Sequence, residues 1–171
     1  MRKSASRELL VFGLALSGLV LFFAACGGSG GSPTDPGGAS VAQVEAQSFA
    51  LVNQARQAEG VQPQLVHDAR LDEVARAYSE AMRDRGFFSH IDPEGHDFVF
   101  RLQQGGIGFR AAGENLARVM NASDPAAFAH QLFLENPEHR GNILDPRLTH
   151  GGVGVAREGR TYWITQLYIR P

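Results

Sequence analysis

Glycine and valine alternate between Gly151 and Val155 in the order Gly-Gly-Val-Gly-Val, near the end of the chain. Alternation with a two-residue period is typical of a β-strand. Glycine inside a strand carries no side chain, so a neighbouring backbone can approach that face closely. The pattern therefore predicts a strand pressed against another element, and the chain has to fold around at least one such packed strand.

A helix start is predicted just before this strand, at Asn136. The Asn136 side chain can cap the free amides of a first turn, and Pro137 suits the first helical position. Glu138 follows, where the helix dipole favours a negative charge. His139 would then be held at a fixed, partly exposed position on a rigid turn. A polar helical turn that leads into a packed strand is a common scaffold for a functional site.

Residues 1–26 have the composition of a secretory signal peptide. Three basic residues precede an apolar run over residues 9–23, which ends in two alanines and Cys26. The order of a basic start, an apolar middle and a small-residue exit is typical of such leaders. Residues 21–26 also resemble a bacterial lipobox, in which Cys26 would carry the lipid. The alternative is an uncleaved signal anchor, although an apolar core of about 15 residues is shorter than the roughly 20 that a membrane span prefers.

A flexible tether is predicted over residues 27–40, which consist almost entirely of Gly, Ser, Pro, Thr and Asp. Such a segment cannot bury a core. The remaining residues, 41–171, are enough for one globular domain and too few for two. Because Cys26 is the only cysteine in the chain, this domain has to be stable without an intrachain disulfide.

The charge pattern argues against nucleic acid as a partner. The chain has a formal net charge of −2 at pH 7 and lacks the basic stripe, interleaved with aromatic residues, that nucleic-acid binding requires. The expected partners are the membrane, reached through a lipid on Cys26, and a small-molecule or lipid ligand. Protein partners stay open at this point.

Helical periodicity dominates the first part of the domain, and strand periodicity its end. The predicted elements are a helix over residues 41–58, a helix between Asp68 and Gly86, a short helix from Phe98 stopped by Gly105-Gly106, a loop or strand over residues 109–119, a helix from Asp124-Pro125 to near Phe133, and strands over residues 152–157 and 161–169. Glu158-Gly159 would connect the last two strands as a tight hairpin. Helices followed by a C-terminal β-hairpin predict an α+β layered domain.

Several separated motifs occur in the order seen in one known family. They are Leu51-Val52-Asn53 with Arg56, Phe88-Ser89-His90, Gly113-Glu114-Asn115-Leu116-Ala117, Pro137-Glu138-His139-Arg140 with Asn142-Ile143-Leu144, Gly152-Val153-Gly154-Val155, and Tyr162-Trp163 with Gln166. The set resembles the CAP superfamily (SCP/PR-1-like), and in particular its bacterial extracellular branch. Several ordered motifs are far more specific than one alone. The resemblance implies a three-layer α-β-α sandwich.

The resemblance also assigns residues to the central cleft of that fold, which in the family holds two histidines and two acids. The assigned residues are His90, Glu114 and His139, with Glu135 as the candidate for the second acid. By the same resemblance, Asn115 and Gln166 are expected to support the site through hydrogen bonds.

The residue types allow three kinds of chemistry. Two imidazoles and a carboxylate that converge can bind a divalent cation such as zinc, with a position left open for water. Glu114 would then ligate the cation or orient a histidine or a bound water. Alternatively, Glu114 accepts hydrogen bonds from both rings and from loop amides, and no ligand is involved. Hydrolysis is the third possibility, although Ser89 adjoins His90 in sequence and is expected in a turn rather than in a triad.

These inferences predict an extracytoplasmic protein of the bacterial cell envelope, lipid-anchored or secreted, with a His/Glu cleft for a divalent cation and a small or lipidic ligand. The alternatives are a metal-dependent hydrolase of the envelope and an envelope interaction protein whose polar cluster is purely structural. No residue is assigned a catalytic role, and binding is favoured over catalysis.

Overall fold

Five helices and four strands make up residues 38–171, the part of the chain that this computed structural model describes. In chain order they are α1 (Val41–Ala58), β1 (Val66–His67), α2 (Ala69–Asp84), α3 (Phe98–Gln104), β2 (Ala111–Met120), α4 (Pro125–Glu135), α5 (Pro137–Leu144), β3 (His150–Glu158) and β4 (Thr161–Arg170). The predicted signal peptide, Cys26 and most of the predicted tether lie outside the described residues. Within residues 38–171, no helix is both long enough and apolar enough to cross a membrane.

The four strands form one sheet in the order β1-β3-β4-β2. The short β1 runs parallel to β3, and the other neighbouring pairs are antiparallel. Strands β3 and β4 form the predicted C-terminal hairpin. Its connection is Gly159-Arg160, one position later than the predicted Glu158-Gly159, because Glu158 still pairs with Thr161. Residues 109–119, for which the sequence predicts a loop or a strand, contain most of β2. This strand pairs with β4 along its whole length. It is therefore an edge strand that passes beside the hairpin.

Helices cover both faces of this sheet. Strand β4 shows the division most clearly, because its side chains alternate between the two faces. Tyr162, Ile164 and Tyr168 join the core under α1, α4 and α5. On the opposite face, Leu167 packs with α2 and α3, and Trp163 packs with α2. The predicted α+β class and three-layer α-β-α architecture are therefore confirmed.

The alternating glycines of β3 lie under α2. A Cβ atom on Gly152 would lie 2.5 Å from the Leu71 Cβ, and one on Gly154 would overlap the backbone of Arg76. Val153 and Val155, which alternate with them, face the other core. Helix α2 can therefore sit on the sheet only because these two strand positions carry no side chain. The prediction of a closely packed strand is confirmed.

Helix α5 begins as the sequence predicted. The Asn136 Oδ1 atom accepts hydrogen bonds from the backbone N–H groups of Glu138 and His139, at 2.9 and 3.2 Å, and Pro137 is the first helical residue. This cap fixes the backbone of His139 in the first turn of a short helix.

A buried arginine holds the loops at the far end of α5. Arg56 on α1 is fully buried, and its guanidinium donates to the backbone carbonyls of Pro63, Ile143, Asp145 and Leu148. Burial lowers the pKa of Arg56 from its ordinary value, and the carbonyl oxygens replace the water that the cation has lost. Helix α5 is thus fixed at its start by Asn136 and at its end by Arg56.

Candidate functional site

The three residues predicted for the cleft come from three separate elements and lie near one another. His90 follows α2 in a loop, Glu114 lies in the middle of β2, and His139 lies in the first turn of α5. The His90 Nδ1 atom is 2.9 Å from Glu114 Oε1. The ring centroids of His90 and His139 are 6.3 Å apart. The fold therefore places the two imidazoles side by side, and the carboxylate is bonded to one of them.

Glu114 has a second partner that the sequence did not predict. Its other oxygen, Oε2, lies 2.6 Å from Nη2 of Arg101 on α3. The Glu114 side chain is only 1% exposed, and that of Arg101 is 12% exposed. A buried carboxylate needs a compensating charge or several hydrogen bonds, and Arg101 supplies the charge. Both carboxylate oxygens are thus bonded within the protein, one to an imidazole and one to a guanidinium.

Arg101 is itself held in place by the loop that carries His90. Its guanidinium carbon lies 3.2 Å from the centroid of the Tyr78 ring, close enough for a cation–π contact. It also donates to the backbone carbonyls of His90 and His96, at 3.4 and 3.2 Å. The Tyr78 hydroxyl donates to the Ser89 carbonyl at 2.5 Å, and burial raises the pKa of Tyr78 to about 12. The protonated phenol and Arg101 together fix the conformation around His90.

Buried amides position His139 from the other side. The Asn115 side chain donates to the His139 carbonyl at 3.1 Å and to Gln166 Oε1 at 3.3 Å. Asn142 on α5 donates to Asn115 Oδ1 at 2.9 Å and to the Glu114 carbonyl at 3.1 Å. The Tyr168 hydroxyl completes the chain by donating to Gln166. Asn115 and Gln166 thus occupy places from which they can support the site, and Asn142 shares that task.

His139 lines a groove that is mostly apolar. The groove has a volume of about 280 Å³ and is lined by Phe88, Leu116, Ala117, Arg118, Leu132, Phe133, Asn136 and His139. Phe133 meets the His139 ring edge-on, with 5.3 Å between the ring centroids. Burial lowers the pKa of His139, and the neighbouring His90 lowers it further. At neutral pH this imidazole is therefore uncharged, with a lone pair that can accept a hydrogen bond or ligate a cation.

The candidate fourth acid lies outside this arrangement. Glu135 is exposed at the end of α4, where its Oε1 accepts a hydrogen bond from Gln131 at 2.9 Å. No contact joins it to the histidines of the site within residues 38–171. Ser89 plays the part expected of it in a turn, because its hydroxyl accepts from the Ile91 N–H at 3.1 Å.

A divalent cation would find a reduced set of ligands here. Among residues 38–171, no group of three or more His, Cys, Asp or Glu side chains is placed to hold a metal ion. Each oxygen of Glu114 accepts a hydrogen bond, one from His90 and one from Arg101, whereas His90 Nε2 and the ring of His139 have no hydrogen bond within residues 38–171. Catalytic zinc sites have three protein ligands. The described residues thus bring two imidazoles together, with Glu114 bonded to one of them, and fall short of the three ligands of a catalytic zinc site.

Comparison with known proteins places the chain in a family. The sequence model of the cysteine-rich secretory protein family, CAP, matches residues 49–168. The uncharacterized protein YkwD of Bacillus subtilis is 35% identical over 130 residues, which are 76% of this chain and 48% of YkwD.

Two solved structures have the same fold. An extracellular protein containing a SCP domain from Bacillus anthracis is 34% identical, with a TM-score of 0.65, and the match covers 76% of this chain and 41% of that one. An outer surface protein of Borrelia burgdorferi is 14% identical, with a TM-score of 0.69 over 77% of this chain and 96% of its own. The chain thus spans less than half the length of the two Bacillus relatives. Because the family model covers most of the chain and the fold agrees, the chain belongs to the CAP (cysteine-rich secretory, SCP/PR-1-like) family.

Proposed function

We propose that this protein is an extracytoplasmic CAP domain of the bacterial cell envelope, held to a membrane by a lipid on Cys26, that binds a small amphipathic ligand in the groove at His139. The signal-peptide composition of residues 1–26 and the lipobox-like residues before Cys26 support the location. The Bacillus anthracis relative is described as extracellular, which agrees with that location.

One observation carries the binding function. Both oxygens of Glu114 are bonded inside the protein, whereas the His139 ring forms no hydrogen bond within residues 38–171 and lines a mostly apolar groove. Ligand sites in proteins are mostly apolar, with a few fixed polar groups that set orientation. A ligand of matching chemistry has an apolar body that lies along Phe88 and Leu132 and a polar head that meets the imidazoles. A divalent cation held by His90 Nε2 and His139 would assist the binding of such a head group.

Zinc and a fatty acid serve as separate probes of this proposal. Purified chain and its His139→Gln variant are compared by metal analysis after incubation with zinc, and by native mass spectrometry with palmitate. His67→Gln is the matched control, because His67 is exposed on β1 and pairs with Asp72 instead. Binding of palmitate that is lost in the His139 variant and kept in the His67 variant is the expected result. Palmitate binding that is equal in all three proteins would contradict the proposed groove.

The Arg101–Glu114 pair favours a second candidate, an interaction protein whose polar cluster is purely structural. In that case, neither zinc nor palmitate binds, and His90→Ala lowers the stability because a buried oxygen of Glu114 loses its partner, at about 1–3 kcal/mol. Full retention of stability in His90→Ala would argue against this second candidate. A hydrolase remains testable with an ester and peptide panel, in which turnover would have to disappear in Glu114→Gln.

A further inference from the structure

Four large apolar side chains are exposed along the outer edge of the sheet, and we call them the β2-edge strip. They are Met120 (62% exposed), Phe128 (47%), Phe88 (43%) and Leu132 (41%). Phe128 and Leu132 lie one helical turn apart on α4. Met120 and Phe128 line one shallow depression, and Leu132 and Phe88 line the groove of His139. Scattered apolar residues are normal on protein surfaces, but several large ones that line neighbouring depressions indicate a contact surface.

The chain enters the domain beside one end of this strip. The carbonyl of Ala39, the residue before the cap of α1, accepts a hydrogen bond from the Tyr162 hydroxyl at 2.8 Å. Tyr162 is paired in the sheet with Val119, the neighbour of Met120. Ala39 also lines a depression together with Ser123 and Asp124, which connect β2 to α4. The predicted tether thus reaches the folded domain at the Met120 end of the strip.

The length of that tether limits where a membrane can be. Gly38 is twelve positions after Cys26, and twelve extended residues span at most about 40 Å. If Cys26 carries a lipid, as proposed above, the bilayer is always within that distance of Gly38. Such tethering gives a high effective concentration of bilayer surface, so a contact that would be weak for a free domain is sufficient.

Two exposed arginines lie beside the strip. The Arg118 guanidinium is 5.7 Å from the centroid of the Phe88 ring. Arg160 lies in the turn between β3 and β4, where its carbonyl accepts from the Asn121 N–H beside Met120. Exposed acids also lie in this region: Asp124 accepts a hydrogen bond from Gln47 at 2.8 Å, Glu135 accepts one from Gln131 at 2.9 Å, and Glu138 is next to His139. Arg118 and Arg160 are the groups beside the strip that can meet the phosphates of an anionic phospholipid surface.

We propose that the β2-edge strip is a membrane-contact surface, which seats the tethered domain on a bilayer that contains anionic phospholipid. The inference rests on the proposed lipid anchor and adds an orientation to it. Because Phe88 and Leu132 belong both to the strip and to the groove of His139, this orientation turns the mouth of the groove toward the lipid. An amphipathic ligand could then pass between bilayer and groove without crossing water.

Hydroxyl-radical footprinting of native side chains tests this orientation. The acylated protein is reconstituted in vesicles of phosphatidylglycerol and phosphatidylcholine, and the oxidation rates of Met120 and Phe128 are compared before and after proteolytic release through the tether. We expect several-fold slower oxidation of both residues while the domain is tethered. Phe100, which is 37% exposed on α3, should react equally in the two states. In Phe128→Ser/Leu132→Ser, Met120 should regain the rate of the released form.

The remaining outcomes separate the orientation from the anchor. Mass spectrometry of the N-terminus reports whether Cys26 is acylated; if it is not, a maleimide phospholipid coupled to this single cysteine supplies the tether, and the footprint is still measured. Equal oxidation of Met120 in the tethered and released forms would overturn the proposal. So would protection that persists after release and increases with protein concentration, because a second copy would then cover the strip. If Met120 and Phe128 lose their protection from oxidation in vesicles of pure phosphatidylcholine, or in the variant Arg118→Gln/Arg160→Gln, the contact depends on anionic phospholipid as proposed.

Discussion

Replacement of Arg101 by methionine isolates the electrostatic role of the Arg101–Glu114 pair. Methionine keeps an unbranched apolar stem that can lie on the Tyr78 ring, where the guanidinium lies now. It removes the charged partner of Glu114 Oε2. Among residues 38–171, His90 is then the one side chain still bonded to this carboxylate, which is 1% exposed, and the His90 side chain is itself half exposed.

The expected loss is large for a single substitution. Removing one partner of a buried ion pair costs about 3–5 kcal/mol, because the other charge is left uncompensated. Arg101 is 12% exposed and His90 still donates to Glu114, so we expect about 3 kcal/mol, at the lower end of that range. For a domain of this size, about 3 kcal/mol corresponds to a fall of roughly 10 °C in the melting temperature.

A double-mutant cycle measured by urea unfolding provides the assay. The proteins are the parent, Arg101→Met, Glu114→Gln and the double variant. If an uncompensated charge causes the loss, Glu114→Gln in the Arg101→Met background restores most of the stability. Arg118→Met serves as the control, since Arg118 is an exposed arginine on β2, and we expect a change within about 0.5 kcal/mol.

Two results would refute this reasoning. A loss of less than about 1 kcal/mol in Arg101→Met would mean that water or another group compensates Glu114. A double variant that is no more stable than Arg101→Met would assign the loss to packing on Tyr78 and to the carbonyl hydrogen bonds instead.

Three further predictions concern the scaffold and the groove. Gly154→Ala should lower the free energy of unfolding by more than about 3 kcal/mol or prevent folding, because the added Cβ would overlap the backbone of α2. The control Gly141→Ala lies at an open helical position and should raise the free energy of unfolding, measured in urea, by about 0.5–1 kcal/mol. In NMR titrations, the pKa of His139 should lie below the ordinary histidine value of about 6.5. Because the pKa is lower in the folded than in the unfolded state, the unfolded state takes up the proton first, and the free energy of unfolding should fall as the pH drops below about 6.5. His139→Gln should reduce this loss of stability at low pH. Asn142→Ala should lower the melting temperature and cost about 1–3 kcal/mol, because Asn115 Oδ1 is left without its donor.

Local patterns were sufficient to predict much of the scaffold. The glycines at positions 152 and 154 required a close neighbour on one strand face, and α2 is that neighbour. Asn136-Pro137 predicted both the start of α5 and the place of His139. Residues 109–119 were ambiguous because Gly113, Glu114 and Asn115 interrupt the apolar pattern that marks a strand. In the structure, these three residues belong to β2 and are buried. Their polarity reflects the site that they form, and so it masked the strand in the sequence.

Arg101 shows why the centre of the site could not be completed from the sequence. It lies on α3, and its partner Glu114 lies thirteen positions later on a strand, so no helical or strand period links the two. An arginine on a short helix is usually solvated, and its burial depends on the turn around Asp92, which brings α3 back over Tyr78. A signal was nevertheless present, since a carboxylate within a predicted buried segment requires a cation or several donors.

The pairing of Glu114 with Arg101 changes what the two histidines can do. A free carboxylate between two imidazoles would attract a cation and complete a three-ligand site. Because the guanidinium already neutralises that carboxylate, the local field no longer favours a cation as strongly. What remains is His90, oriented by Glu114, beside a neutral His139 in a mostly apolar groove. We therefore expect the proposed ligand, with a polar head and an apolar body, to bind here in preference to a bare metal ion.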